Sequence, residues 1–246
     1  MTDVLDADQV ETPEQATRRR RRSVLLFLRD ILFILLAAVV ISFVIKTFFV
    51  RSFYIPSASM ENTLMVNDRV IVSLLTPGLT PLQHGDVVVF QDPGGWLTDL
   101  PPAAPSSPLD GVLAFLGLAA PTDSNHLIKR VIGLPGDHVQ CCNVLGRLTV
   151  NGVPLDEPYI HLPSGVTSSD PYTFSVTVPK GDIWVMGDNR NDSEDSAYHE
   201  TKHDTSPFVP LRDVTGQALL ISWPFNRWTF LGNYPVVFSD VPSKSK

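Results

Sequence analysis

The chain has 246 residues, 43% of them hydrophobic, enough for one or two domains with a real core. Its 21 prolines and 18% charged residues suit a loop-rich, mainly β domain better than a helical bundle. The net charge of −7 is segregated: from Arg51 onward 12 bases face 20 acids, a poor composition for binding nucleic acid.

Residues 1–17 carry five acids and no base and are expected to be disordered. Arg18 to Arg22 follow as an unbroken basic run, then an apolar stretch from Val24 to Val50 interrupted only by Arg29, Asp30 and Lys46. A bilayer span needs about 20 residues, so Ile31 to Val50 can cross with Arg29 and Asp30 at one interface and Lys46 snorkelling to the other. The arginines then hold the N-terminus in the cytoplasm and place everything after Val50 outside. The competing reading is a cleaved signal peptide, with small residues at Ser57, Ala58 and Ser59. The long basic region and the length of the apolar run argue against it. The expected organisation is a tail over 1–23, an anchor over 24–50 and an extracytoplasmic domain over 51–246.

Beyond the anchor the pattern is β. Asp68 to Leu75, Gly85 to Phe90 and Leu127 to Leu134 read as strands rich in β-branched residues. Gln91 to Asn125 is a long insertion with six prolines and an apolar island, Gly111 to Ala120. Pro135 to Asp137 is a turn. Arg147 to Leu155 is a hairpin, because Asn151-Gly152 supplies both positive-φ residues of a type I′ turn. Tyr172 to Val178, Asp182 to Met186 and Gln217 to Trp223 complete the strands, with an inserted β subdomain over about 137–180. Cys141 and Cys142 are adjacent. Neighbouring Cα atoms stand 3.8 Å apart across a trans peptide, so no disulfide is expected and the pair reads as two small, partly buried residues.

Two protease signals compete. His199 to His203 read HETKH, the pattern that sets two histidines on one helical face with a glutamate base. The surrounding NDSEDSAYHETKHDTSP is polar and reaches Pro207 soon after, so a solvated loop is the plainer reading, and a third zinc ligand is not evident. A Ser–His–Asp triad drawing on His84, His126, His138 or His161 finds no motif to support it.

The second signal is distributed. Ser59 lies in YIPSASMENTL, Lys129 in LIKRVIGLPGD, and a third block, MGDNRNDSEDSAYH, spans Met186 to His199. Together these segments resemble bacterial type I signal peptidases, membrane-anchored serine proteases with a Ser–Lys dyad. The resemblance covers most of Arg51 to Trp223 and the preceding anchor. It implies a signal-peptidase-like, mainly β fold with one N-terminal transmembrane helix. It implies Ser59 as nucleophile, Lys129 as general base and Ser57 as an oxyanion donor with the Ser59 N–H. Ser193 matches a serine that hydrogen-bonds the base, and Asp195 an acid that braces the site. Ile55, Met60, Leu127 and Ile128 match pocket walls, and Val89 lies on a neighbouring strand. Two positions depart from the pattern: Asn62 stands where proline is frequent, and Ala197 where an arginine pairs with the aspartate. Arg190 is then the available partner for Asp195.

The chemistry agrees with these residue types. A serine hydroxyl needs a base, and an ordinary lysine is almost wholly protonated near neutrality. Burial without a counter-ion lowers that pKa. In a strand Leu127 and Val131 share the face of Lys129, which gives its amine an apolar wall. A preprotein would present an extended segment with small A-x-A residues and add as a strand near Ile55 and near Leu127–Ile128. The resemblance implies no metal and no organic cofactor. The expected partners are preproteins and the bacterial plasma membrane, and a monomer is expected. The rival readings are a zinc protease at HETKH and a non-catalytic, membrane-tethered β domain.

Overall fold

The computed structural model describes residues 13–97, 125–203 and 205–242. The apolar island at 111–120 lies outside them. The chain divides into two compact units after Val44.

The first unit is carried by helix α1, Pro13–Phe48. The helix starts earlier than the composition implies, so residues 13–17 are helical rather than disordered. Proline at the first helical position, followed by Glu14, Gln15 and Ala16, gives a good helix start. Within α1, Arg22–Phe48 is long and apolar enough to cross a membrane. Its large side chains, such as Leu32, Phe33 and Ile34, are exposed.

The second unit holds an eight-stranded antiparallel sheet and a four-stranded one. The strands of the large sheet are β1 (Val50–Tyr54), β2 (Arg69–Ser73), β3 (Val87–Gln91), β4 (His126–Gly133), β9 (Asp182–Met186), β10 (Val209–Pro210), β11 (Val214–Trp223) and β12 (Thr229–Phe230). Their order is β1-β2-β11-β3-β4-β9-β10, with β12 on β11. Val50 pairs with Ser73, so it belongs to the sheet and not to the anchor. The small sheet, ordered β7-β6-β5-β8, holds β5 (His138–Cys141), β6 (Thr149–Val150), β7 (Val153–Pro154) and β8 (Phe174–Thr177). Asn151 and Gly152 carry the positive φ values, 52° and 83°, that the β6–β7 turn requires.

Why β3 reads as an unbroken apolar run is visible in the packing. Val87 and Val89 join one core cluster, while Val88 and Phe90 join another on the opposite face. Both faces are covered, so alternation with polar residues has no place. The sheet also curls. Phe53 of β1 and His126 of β4 bring their rings to 5.3 Å although three strands lie between them in the sheet order. Ile55 and Ile128 share the cluster that fills this bend.

Two local expectations are corrected. Cys141 and Cys142 form a disulfide between adjacent residues, where none was expected. The polar stretch around HETKH is not a loop: Ser196–Lys202 forms a short helix, α2, capped by the Asp195 side chain.

Candidate active site

Pairing of β1 ends at Ile55, whose N–H donates to the Asp68 carbonyl and whose carbonyl accepts from the Asn67 N–H. Pro56 has no N–H to continue the ladder. The chain then closes a tight turn, with Glu61 N–H to the Ala58 carbonyl and Leu64 N–H to the Met60 carbonyl. Met60 and Leu64 are fully buried and anchor the turn from below, leaving Ser59 at the rim with 8% exposure. Asn189 clamps the turn from the other side. Its backbone N–H donates to the Ser59 carbonyl at 3.1 Å, and its side-chain Nδ2 to the Ala58 carbonyl at 3.2 Å.

Lys129 reaches this serine from β4. Its Nζ lies 2.5 Å from Ser59 Oγ. The amine is buried, and burial lowers its pKa to about 8 against the pull of the Asp195, Asp188, Glu194 and Asp192 carboxylates. Among the described residues no carboxylate forms an ion pair with it. Leu127 and Val131 pack together in one core cluster, while Ile128 joins the other, as the strand alternation requires. Ser57 Oγ is 3.4 Å from Ser59 Oγ and exposed, and the Ser59 N–H has no partner among the described residues.

The third block folds around this pair differently from the expectation. Arg190 does not pair with Asp195. Its guanidinium is fully buried against Glu157 at 2.5 Å, with further donation to the carbonyls of Ser169 and Gly187. Asp195 accepts instead from the Gly187 N–H at 2.8 Å and the Ala197 N–H at 3.0 Å, so backbone amides brace it where no arginine is present. Ser193 makes no hydrogen bond to Lys129; its buried Oγ has no partner among the described residues and lies against Gly187. Gly187 has room for nothing larger: a Cβ there would stand 2.5 Å from the Ser59 carbonyl oxygen and 2.6 Å from Ser193 Cβ.

Of the five residues expected to wall the pocket, Ile55, Met60, Val89 and Ile128 share one buried cluster, and Leu127 packs on the other face. The edges near them are open. β1 is an outer strand, and β9 pairs with β4 only from Arg130 to Gly133, so among the described residues Leu127 to Lys129 have no paired strand on that side.

HETKH does not assemble a metal site. His199 is buried, stacked on Trp96 at 4.6 Å and bonded to Thr205, whereas His203 is the exposed C-cap residue of α2. Among the described residues no group of three or more His, Cys, Asp or Glu could hold a metal ion. The histidine triad does not form either: His84 pairs with Asp137 at 2.7 Å, while Ser59 is bonded to Lys129.

Several residues that shape the site were not singled out from the sequence. Arg130 and Asp188 form a buried ion pair at 2.6 Å, with the guanidinium over the Tyr159 ring. Thr63, four residues past the nucleophile, donates to the same carboxylate. Asn189, Gly187 and Glu157 complete the frame. The density of polar residues in MGDNRND, between a strand and a cap, was the available signal.

A hydroxyl held against a desolvated amine has the parts of a serine hydrolase with a lysine base. Comparison with known proteins gives the family. The sequence model described as "Signal peptidase, peptidase S26" matches residues 28–223. The probable signal peptidase I of Mycobacterium leprae is 38% identical over 232 residues, spanning 82% of this chain and 78% of the relative. The signal peptidase I of Mycobacterium tuberculosis is 38% identical over 222 residues, 82% of this chain and 74% of the relative. The crystal structure of a signal peptidase I from Enterococcus faecalis is 25% identical, with a TM-score of 0.36 over 55% of this chain and 95% of its own. The chain belongs to the signal peptidase family, peptidase S26, and is a serine endopeptidase. Family membership and the apolar helix together make it a membrane-anchored protein.

Proposed function

We propose that this chain removes signal peptides from secreted preproteins through a dyad of Ser59 and Lys129. The observation that carries the mechanism is the 2.5 Å contact between Ser59 Oγ and a buried Lys129 Nζ. The neutral amine accepts the hydroxyl proton as Oγ attacks the scissile carbonyl. The Ser57 hydroxyl and the Ser59 N–H take the oxyanion. The tetrahedral intermediate collapses to an acyl-enzyme on Ser59, and the Lys129 ammonium gives its proton to the leaving amine of the mature protein. Lys129 then deprotonates the water that releases the signal peptide's carboxylate.

The substrate adds as an extended strand between the end of β1 and the open edge of β4. Ile55, Met60, Val89, Leu127 and Ile128 wall the groove and favour small residues of the A-x-A type. Arg18, Arg22 and Arg29 keep the N-terminus in the cytoplasm, so the catalytic unit faces outward, as a monomer beside the bilayer surface.

The test is cleavage of a preprotein by the detergent-solubilised full chain. Ser59→Ala abolishes cleavage, and a chelator such as EDTA leaves the unaltered enzyme active. Cleavage by Ser59→Ala would overturn the reading, and loss of activity with EDTA would restore the metalloprotease alternative.

A further inference from the structure

One buried acid has no part in that mechanism. Asp170 lies in the loop between β7 and β8 and is 97% buried, since only 3% of its surface is exposed. Its Oδ1 accepts from the Tyr172 N–H at 2.9 Å, while Oδ2 has no hydrogen-bond partner among the described residues. A carboxylate buried with one oxygen lacking a donor costs more than a neutral carboxyl in the same place, because its charge is desolvated as well. The surroundings deepen that cost. The charged and titratable groups that face Asp170 are Asp195, Arg190, Glu157 and Tyr172. Arg190 is the only cation among them, and its guanidinium is already committed to Glu157. Asp195 has no ion pair among the described residues and is the like charge that acts most strongly on Asp170. Burial, with Asp195 next in weight, raises the Asp170 pKa to about 7.

A chain of buried groups runs from the residue beside Asp170 to Asp195. The neighbouring Ser169 carbonyl accepts from Arg190, Arg190 donates to the Gly187 carbonyl, and the Gly187 N–H donates to Asp195. Asp195 is also the carboxylate that acts most strongly on Lys129.

We propose that Asp170 is a positioning residue for the Ser59–Lys129 pair, holding a proton in the folded enzyme and acting on Lys129 through Asp195. The inference rests on the dyad reading above. With its proton in place, Asp170 leaves Asp195 as one negative charge on Gly187 and the cap of α2. When the proton leaves, a second negative charge enters the same buried cluster. It favours the ammonium form of Lys129 and so opposes the base. The acid limb of the activity profile is thus broadened toward higher pH.

Asp170→Asn keeps the shape and the donor and abolishes the titration. Its acid limb should lie roughly half a pH unit below that of the unaltered enzyme, with the plateau kcat within about threefold. Difference infrared spectra should show a neutral carboxylic acid band at pH 6 that fades by pH 8 and is absent in Asp170→Asn. That band is independent of catalysis, so it separates this idea from the dyad itself. If the band is missing at pH 6 and the limb does not move, Asp170 is ionised and the proposal is overturned. A lower plateau with an unmoved limb would likewise reduce Asp170 to a structural residue.

Discussion

Replacing Lys129 by methionine should stop catalysis and strengthen the fold. The amine titrates near pH 8 rather than at its ordinary 10.5, because the folded chain strips its water and supplies no ion pair. At pH 7 roughly one molecule in ten then has a neutral amine, against about one in three thousand for an ordinary lysine. The lowered pKa has a matching stability cost. A lysine with a depressed folded-state pKa binds fewer protons folded than unfolded between pH 8 and 10.5, so stability rises with pH across that window. Below pH 8 the full penalty is present, about 3 kcal/mol. Lys129→Met removes it and loses about 1 kcal/mol with the bond to Ser59, a net gain of about 2 kcal/mol at pH 7. For a domain of this size that is roughly 4–8 °C in Tm. The assay is kcat/KM on a peptide with an A-x-A site from pH 6 to 10, with thermal unfolding of both proteins over the same range. An acid limb near pH 8, a more stable inactive variant, and loss of the alkaline rise in Tm are expected together. Cleavage by Lys129→Met, or a limb still climbing near pH 10, would refute the desolvated base.

Two further outcomes follow from the frame around the site. Gly187→Ala forces the Ser59 carbonyl and Ser193 apart, and should lower kcat/KM by about 100-fold while costing about 1–3 kcal/mol in denaturant titrations; near-normal cleavage would show that the close approach is not needed. Arg190→Met leaves Glu157 buried without its cation and should cost about 3–5 kcal/mol, part of which returns when Glu157→Gln is added. A single variant as stable as the unaltered chain would show that the pair contributes nothing to the fold.

The sequence determined the elements whose physics is local. The unbroken apolar run announced a helix, and Asn151-Gly152 announced a hairpin by its positive φ values. The β-branched runs gave β2, β3, β4 and β9 within a few residues. The contact between Ser59 and Lys129 was legible because both lie in short blocks whose neighbours are equally distinctive. What the sequence could not fix was which charges meet. Arg190 is close to Asp195 in the chain, yet it meets Glu157, 33 positions away, because a buried guanidinium takes the carboxylate that the fold delivers at bidentate distance. The same holds for Asn189 on the Ser59 turn and for Arg130 on Asp188. HETKH shows the converse: the helix forms, but stacking on Trp96 turns His199 inward and leaves His203 outside. Local propensity and hydrophobic period act through neighbours in sequence, whereas burial, desolvation and ion pairing act through neighbours in space. The tertiary structure therefore decided the depressed pKa of Lys129, the backbone bracing of Asp195 and the isolation of Asp170.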